Sequence, residues 1–103
     1  MISRLWHGWT TRENADAYEQ LLRSEVLPGI HRVAGFKGAH LLRRDVPNHE
    51  VEFVTITLFD SLQAVKEFAG EDYEVAVVPP PARKLLSHFD ARSAHYETIF
   101  RME

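Results

Sequence analysis

Six histidines, three tyrosines and two tryptophans, with no cysteine, bound the chemistry open to this 103-residue chain. Histidine exchanges protons near neutral pH, while tryptophan and tyrosine pack against aromatic partners and orient them. His95 lies in the closing stretch "SAHYETIF", beside Tyr96 and Glu97. His7 lies in the opening stretch "RLWHGWTT", between Trp6 and Trp9, and His88 follows the run Pro79-Pro80-Pro81. These three are the candidates for a general base. His31 and His49 fall in predicted turns and His40 on a predicted edge strand, where solvent-facing or structural roles fit. Metal ligation finds no support in the spacing, because no HxH, HExxH or Cys/His pattern occurs. Lack of cysteine also removes disulfides, iron–sulfur clusters and thiol nucleophiles.

A base needs a rigid support, and the sequence supplies one. Residues 2–10 are rich in β-formers and predict a first strand. Thr10 and Glu13 have capping-box spacing, and Ala15, Tyr18, Leu22 and Val26 follow helical steps until Leu27-Pro28-Gly29, where a stop is expected. Residues 39–45 and 51–59 flank the turn Val46-Pro47-Asn48-His49 and read as an antiparallel hairpin. Asp60 or Ser61 caps a second helix with Leu62, Val65, Phe68 and Ala69 inward, ended by Gly70. The proline run predicts a short extended segment that borders a cavity, residues 82–89 a short helix, and residues 91–100 the last strand.

The order β-α-β-β-α-β is the ferredoxin-like plan, an α+β fold in one domain over residues 1–103. In it the first strand is central and the last pairs beside it, so the chain's end is a fixed strand. His7 and His95 then sit on neighbouring strands and would share a cavity if both faced the helices, which parity leaves open. Trp6 and Trp9 must face opposite sides. The third strand is apolar on both parities, with Val54, Ile56 and Leu58 on one and Phe53 and Phe59 on the other. A helix-free face of that kind predicts a second sheet against it, hence a homodimer.

Composition narrows the partners. The chain is 45% hydrophobic and 26% charged, with net charge −3, which offers no basic field for nucleic acid or an anionic membrane. No stretch is long enough to span a bilayer, and the opening residues do not read as a secretion signal, so a cytoplasmic location is expected.

Taken together, "RLWHGWTTRENADAYEQLL", "LPGI…GFKGAHLLRR", "VTITLFDSLQAVKEFAGED" and the terminal "AHYE" resemble the antibiotic biosynthesis monooxygenase domain family. The likeness covers essentially the whole chain. It implies a dimeric α+β barrel, two ferredoxin-like sheets packed face to face. It also implies cofactor-independent oxygenation of a small aromatic or quinol-like substrate. On that resemblance His95, His7 and His88 are the candidate catalytic residues, and Trp6, Trp9, Phe59, Phe68 and Tyr96 the candidate substrate-binding residues. His88 would sit on a lid over the cavity. The alternative from another class is a non-catalytic dimer that binds a small hydrophobic molecule. Haem-degrading relatives carry a tryptophan where this chain has Phe68, and a histidine near Val77 or Val78. They also carry a first-strand asparagine where this chain has Trp6 or His7. Those departures speak against haem, and no cofactor is expected.

Overall fold

The computed structural model describes residues 1–102. Strand β1 (Ile2–Thr11) is followed by helix α1 (Arg12–Leu21), a π-helical turn (Leu22–Val26) and helix α2 (Leu27–His31). Strands β2 (Phe36–Val46) and β3 (Glu50–Phe59), helix α3 (Leu62–Ala69), helix α4 (Pro80–Leu85) and strands β4 (Leu86–Phe89) and β5 (Ala94–Glu97) complete the chain. The sheet is antiparallel with order β2-β3-β1-β4, and β5 shares with β4 the remaining edge of β1. This is the α+β ferredoxin-like plan with its last strand divided in two. No helix among the described residues is long and apolar enough to cross a membrane.

The hairpin forms as expected. Asn48 and His49 both take positive φ, 70° and 59°, which lets a tight turn match the twist of β2 and β3. Ser61 is the cap of α3, its hydroxyl accepting from the Ala64 amide at 3.2 Å, and Gly70 ends that helix at φ 93°. Helix α1 is capped by Thr11 rather than Thr10. β1 runs one residue further than expected, pairing Thr11 with Glu50, and the buried Thr10 hydroxyl donates instead to the Leu85 carbonyl.

Five other expectations are corrected. The first helical segment does not stop at Pro28. The π-helical turn restarts the hydrogen-bond ladder, so Pro28 falls in the first turn of α2, where a missing amide costs nothing. Of the proline run, only Pro79 is extended; Pro80 and Pro81 open α4, since a fixed φ suits a helix start. Residues 86–89 are then a strand, β4, because β1 offers them an unpaired edge. That edge also explains why the last strand is only Ala94–Glu97. Leu62, expected inward, is exposed in the first turn of α3, and Ala64 and Val65 fill the buried positions.

Register fixes the faces. Arg4, Trp6, Gly8 and Thr10 of β1 share a face with Phe53, Thr55 and Thr57 of β3 and with His95 of β5. This is the helix side. It holds two buried clusters, one around Ala15, Tyr18, Leu22, Val51 and Phe53, the other around Ile30, Phe59, Ala64 and Val65. The opposite face carries Leu5, His7 and Trp9 with Val54, Ile56, Leu58, Leu42, His88 and Tyr96. No helix covers it, and Leu42 and Tyr96 are 49% and 57% exposed.

Candidate functional site

Between the helix side of the sheet and the helices lies a cavity walled by Trp6, Tyr18, Leu22 and Phe68, with Val78 and Pro79 at one side. Its volume is about 60 Å³. A single water needs about 10–15 Å³ on that measure, so the space matches one small ring better than a fused ring system. Pro79 borders it, as expected of the proline run.

Local sequence places the walls. Trp6 lies over Gly8, where a Cβ would come within 2.9 Å of the indole, so this position must be glycine for the ring to lie flat. The indole N–H is spent on the Asp90 carbonyl at 2.8 Å, and the ring meets Phe89 at 5.8 Å. Tyr18 meets Phe53 edge-to-face at 4.9 Å, and its burial raises the phenol pKa, so the hydroxyl stays protonated at neutral pH.

One cation stands in this apolar space. Arg4 is only 5% exposed and lines the cavity, with its guanidinium 5.4 Å over the Phe68 ring. Nη1 donates to the Tyr73 carbonyl and to His95 Nε2 at 2.9 Å, and Nη2 donates to the Val75 carbonyl at 3.3 Å. All these partners are neutral, and no carboxylate among the described residues forms an ion pair with Arg4. Burial pulls its pKa down to about 10, which leaves it charged at neutral pH.

The same bonds define His95. Because arginine only donates, Nε2 is the acceptor and the neutral ring carries its proton on Nδ1. Nδ1 is buried with no partner among the described residues, and Tyr73 packs edge-on at 5.0 Å. Burial first and the Arg4 charge second hold the His95 pKa below the ordinary histidine value, with the Glu74 carboxylate opposing. Ser93, two residues earlier, also lines the cavity; its hydroxyl is buried and unpartnered.

The other candidates disperse. The prospect of His7 and His95 lining one cavity is corrected: Arg4 pairs with His95, so His7, three residues on, faces the opposite side of the sheet. His88 is no lid over this cavity. It pairs with Trp9 on β4 and stacks on that indole at 4.6 Å, with Nε2 3.3 Å from Glu50. His7 stacks on the same indole at 6.0 Å and holds Asp90 at 2.8 Å. Trp9 and Tyr96 therefore sit on the helix-free face. Phe59 is on the helix side but wholly buried between Phe36 and Phe68, part of the core and not the wall. Trp6 and Phe68 alone of the binding candidates line the cavity. Arg4 and Ser93 are not among the site residues expected from the sequence. The available signal was parity, since Arg4 shares its strand face with Trp6 and Gly8.

No family model matches this chain, and no curated protein matches it. Its fold is nonetheless that of solved structures across its whole length. A candidate antibiotic biosynthesis monooxygenase from Bacillus cereus superposes with TM-score 0.69 at 16% identity, over 100% of this chain and 95% of that one. A Streptomyces coelicolor monooxygenase from the gene ActVA-Orf6, in complex with nanaomycin D, gives 0.63 at 13%, over 99% and 90%. A dimeric ferredoxin-like protein from an uncultured marine organism gives 0.57 at 13%, over 99% and 97%.

Proposed function

We propose that this chain is a monooxygenase of the antibiotic-biosynthesis type, working without a cofactor on a small aromatic, quinol-like substrate held in the cavity beside Trp6 and Phe68. The observation that carries the reading is the cavity's make-up: an aromatic wall with one buried cation, Arg4, in a chain whose structural neighbours include monooxygenases. A quinol and dioxygen give a hydroxyquinone and water, so the substrate supplies all the electrons and the oxidant is dioxygen. The protein's share is to exclude water, orient the ring and stabilise the oxyanion formed when the quinol loses its proton. Arg4 suits the last task, and His95 positions Arg4 through the Nε2 contact. Proton loss to His95 itself first requires that contact to break.

The working unit we propose is a homodimer whose helix-free sheet faces pack together, burying Leu5, Ile56 and Leu42 and placing His7, Trp9 and His88 near the contact. Oxygen consumption with methylhydroquinone, corrected for spontaneous autoxidation, tests the activity. Uptake above background that falls in Trp6→Ala supports the reading; background rates with single-ring quinols overturn it. One observation favours the rival, a dimer that binds without turnover: the acceptor nitrogen of the histidine nearest the cavity is already occupied.

A further inference from the structure

We propose that the cavity takes its ligand as an oxyanion, a phenolate or carboxylate on a single aromatic ring, held by Arg4 and Ser93. This deepens the reading above at the same site, yet it stands or falls without turnover. A buried cation is costly unless something compensates it, and hydrogen bonds to neutral carbonyls satisfy N–H groups without neutralising charge. Arg4 has five N–H groups, of which three are engaged, leaving Nε–H and one on Nη2. That remainder is what an arginine fork presents to two oxygens or to one strong acceptor.

Ser93 supplies an independent sign. The residue is 4% exposed, it lines the cavity, and its hydroxyl has no partner although the backbone amide is fixed to the Glu74 carbonyl at 2.6 Å. Buried hydroxyls are nearly always hydrogen-bonded in a native protein, so an orphan beside a cavity leaves room for a partner, which an acceptor on a ligand would supply. Backbone pairing brings the two together: Ala94 lies opposite Leu5 and His95 opposite Arg4, so Ser93 immediately precedes the paired stretch. An anionic oxygen would satisfy both the cation's spare donors and the spare hydroxyl. Apart from Thr55, Thr57 and the Tyr18 hydroxyl, the remaining walls are apolar, which fits a flat ring behind that oxygen.

The probe is 4-nitrophenol, whose visible spectrum reports its own ionisation, with nitrobenzene as a neutral ring of similar size. On the full chain, the phenolate should bind at least about tenfold more tightly than nitrobenzene. The bound phenol should ionise about one pH unit lower than in buffer, which corresponds to a roughly tenfold preference for the phenolate over the neutral phenol. Ser93→Ala removes a hydroxyl that holds nothing in the free protein, so it should leave folding intact and weaken phenolate binding about fivefold. Arg4→Gln should abolish the preference. If it does not fold, Arg4→Lys, which keeps charge but loses the fork, should reduce the preference. Equal affinity for the two probes, no phenolate binding at millimolar concentration, or a preference untouched by Ser93→Ala and either Arg4 variant would each overturn the proposal. Phenolate binding without oxygen uptake rejects only the oxygenase reading; quinol turnover without phenolate preference rejects only this one.

Discussion

The two faces of this sheet handle polar groups in opposite ways. On the helix side, Arg4 and Ser93 are buried, His95 is half-buried with its Nδ1 out of water, and all three are only partly satisfied. On the other side, His7 and His88 sandwich Trp9, each is held by a carboxylate, and solvent reaches all of them; the His7 and Asp90 side chains are 38% and 37% exposed. Complete pairing in contact with water is a structural arrangement, worth little energetically and easily exchanged. Incomplete pairing under an apolar roof is costly, and it persists where a ligand completes it. The contrast supports the proposed binding site on the helix side and the proposed contact with a second copy on the other face.

The sharpest break of that comparison is in the core that the helix side shares with the cavity. Phe53 is fully buried against Tyr18. Phe53→Ala should destabilise the fold by about 3–5 kcal/mol, read by urea denaturation, through lost burial and the cavity left behind. A loss under about 1 kcal/mol would mean that the helices do not pack here as described.

Next in size is the helix-free face. Ile56→Asp places a carboxylate opposite Leu5. If that face is an interface, the change should cost about 2–5 kcal/mol of association by desolvating the new charge, and sedimentation should find the mass of a single chain. Wild-type protein sedimenting as a monomer at micromolar concentration would refute the dimer outright.

A smaller, pH-dependent effect belongs to His95. The folded pKa of His95 lies below its ordinary value of 6.5, so the unfolded chain takes up that proton first. Its contribution to stability is therefore complete above about pH 6.5 and is lost as pH falls towards the folded value. The melting temperature should drop between pH 7.5 and 5.5, and His95→Gln, whose amide oxygen can still accept from Arg4, should flatten that drop. An unchanged slope in His95→Gln would remove the buried-histidine account.

The smallest effect belongs to Asp90. Asp90→Asn should alter stability by no more than about 1 kcal/mol, since its partner His7 is equally solvated. A larger loss by thermal melting would show that the helix-free face is more closed than described.

Local rules made much of this legible. Strand parity separated Trp6 from Trp9 and Phe53 from Val54, the hairpin followed from its turn residues, and Ser61 and Gly70 bounded a helix, because period and capping depend on neighbours only a few residues apart. Which parity meets the helices is not local. It is set by the side on which the helices pack, while the division of one edge of β1 between β4 and β5 carried His88 onto Trp9 and away from the cavity. The site was hidden for a related reason. Arginine at position 4 is unremarkable in a sequence, and becomes a buried, unneutralised cation only when the chain at Tyr73 and Val75 folds back over it from some seventy residues away. Sequence alone determined the alternation of β1; tertiary structure decided which side of it would be dry, because desolvation comes from whatever the distant chain lays on top.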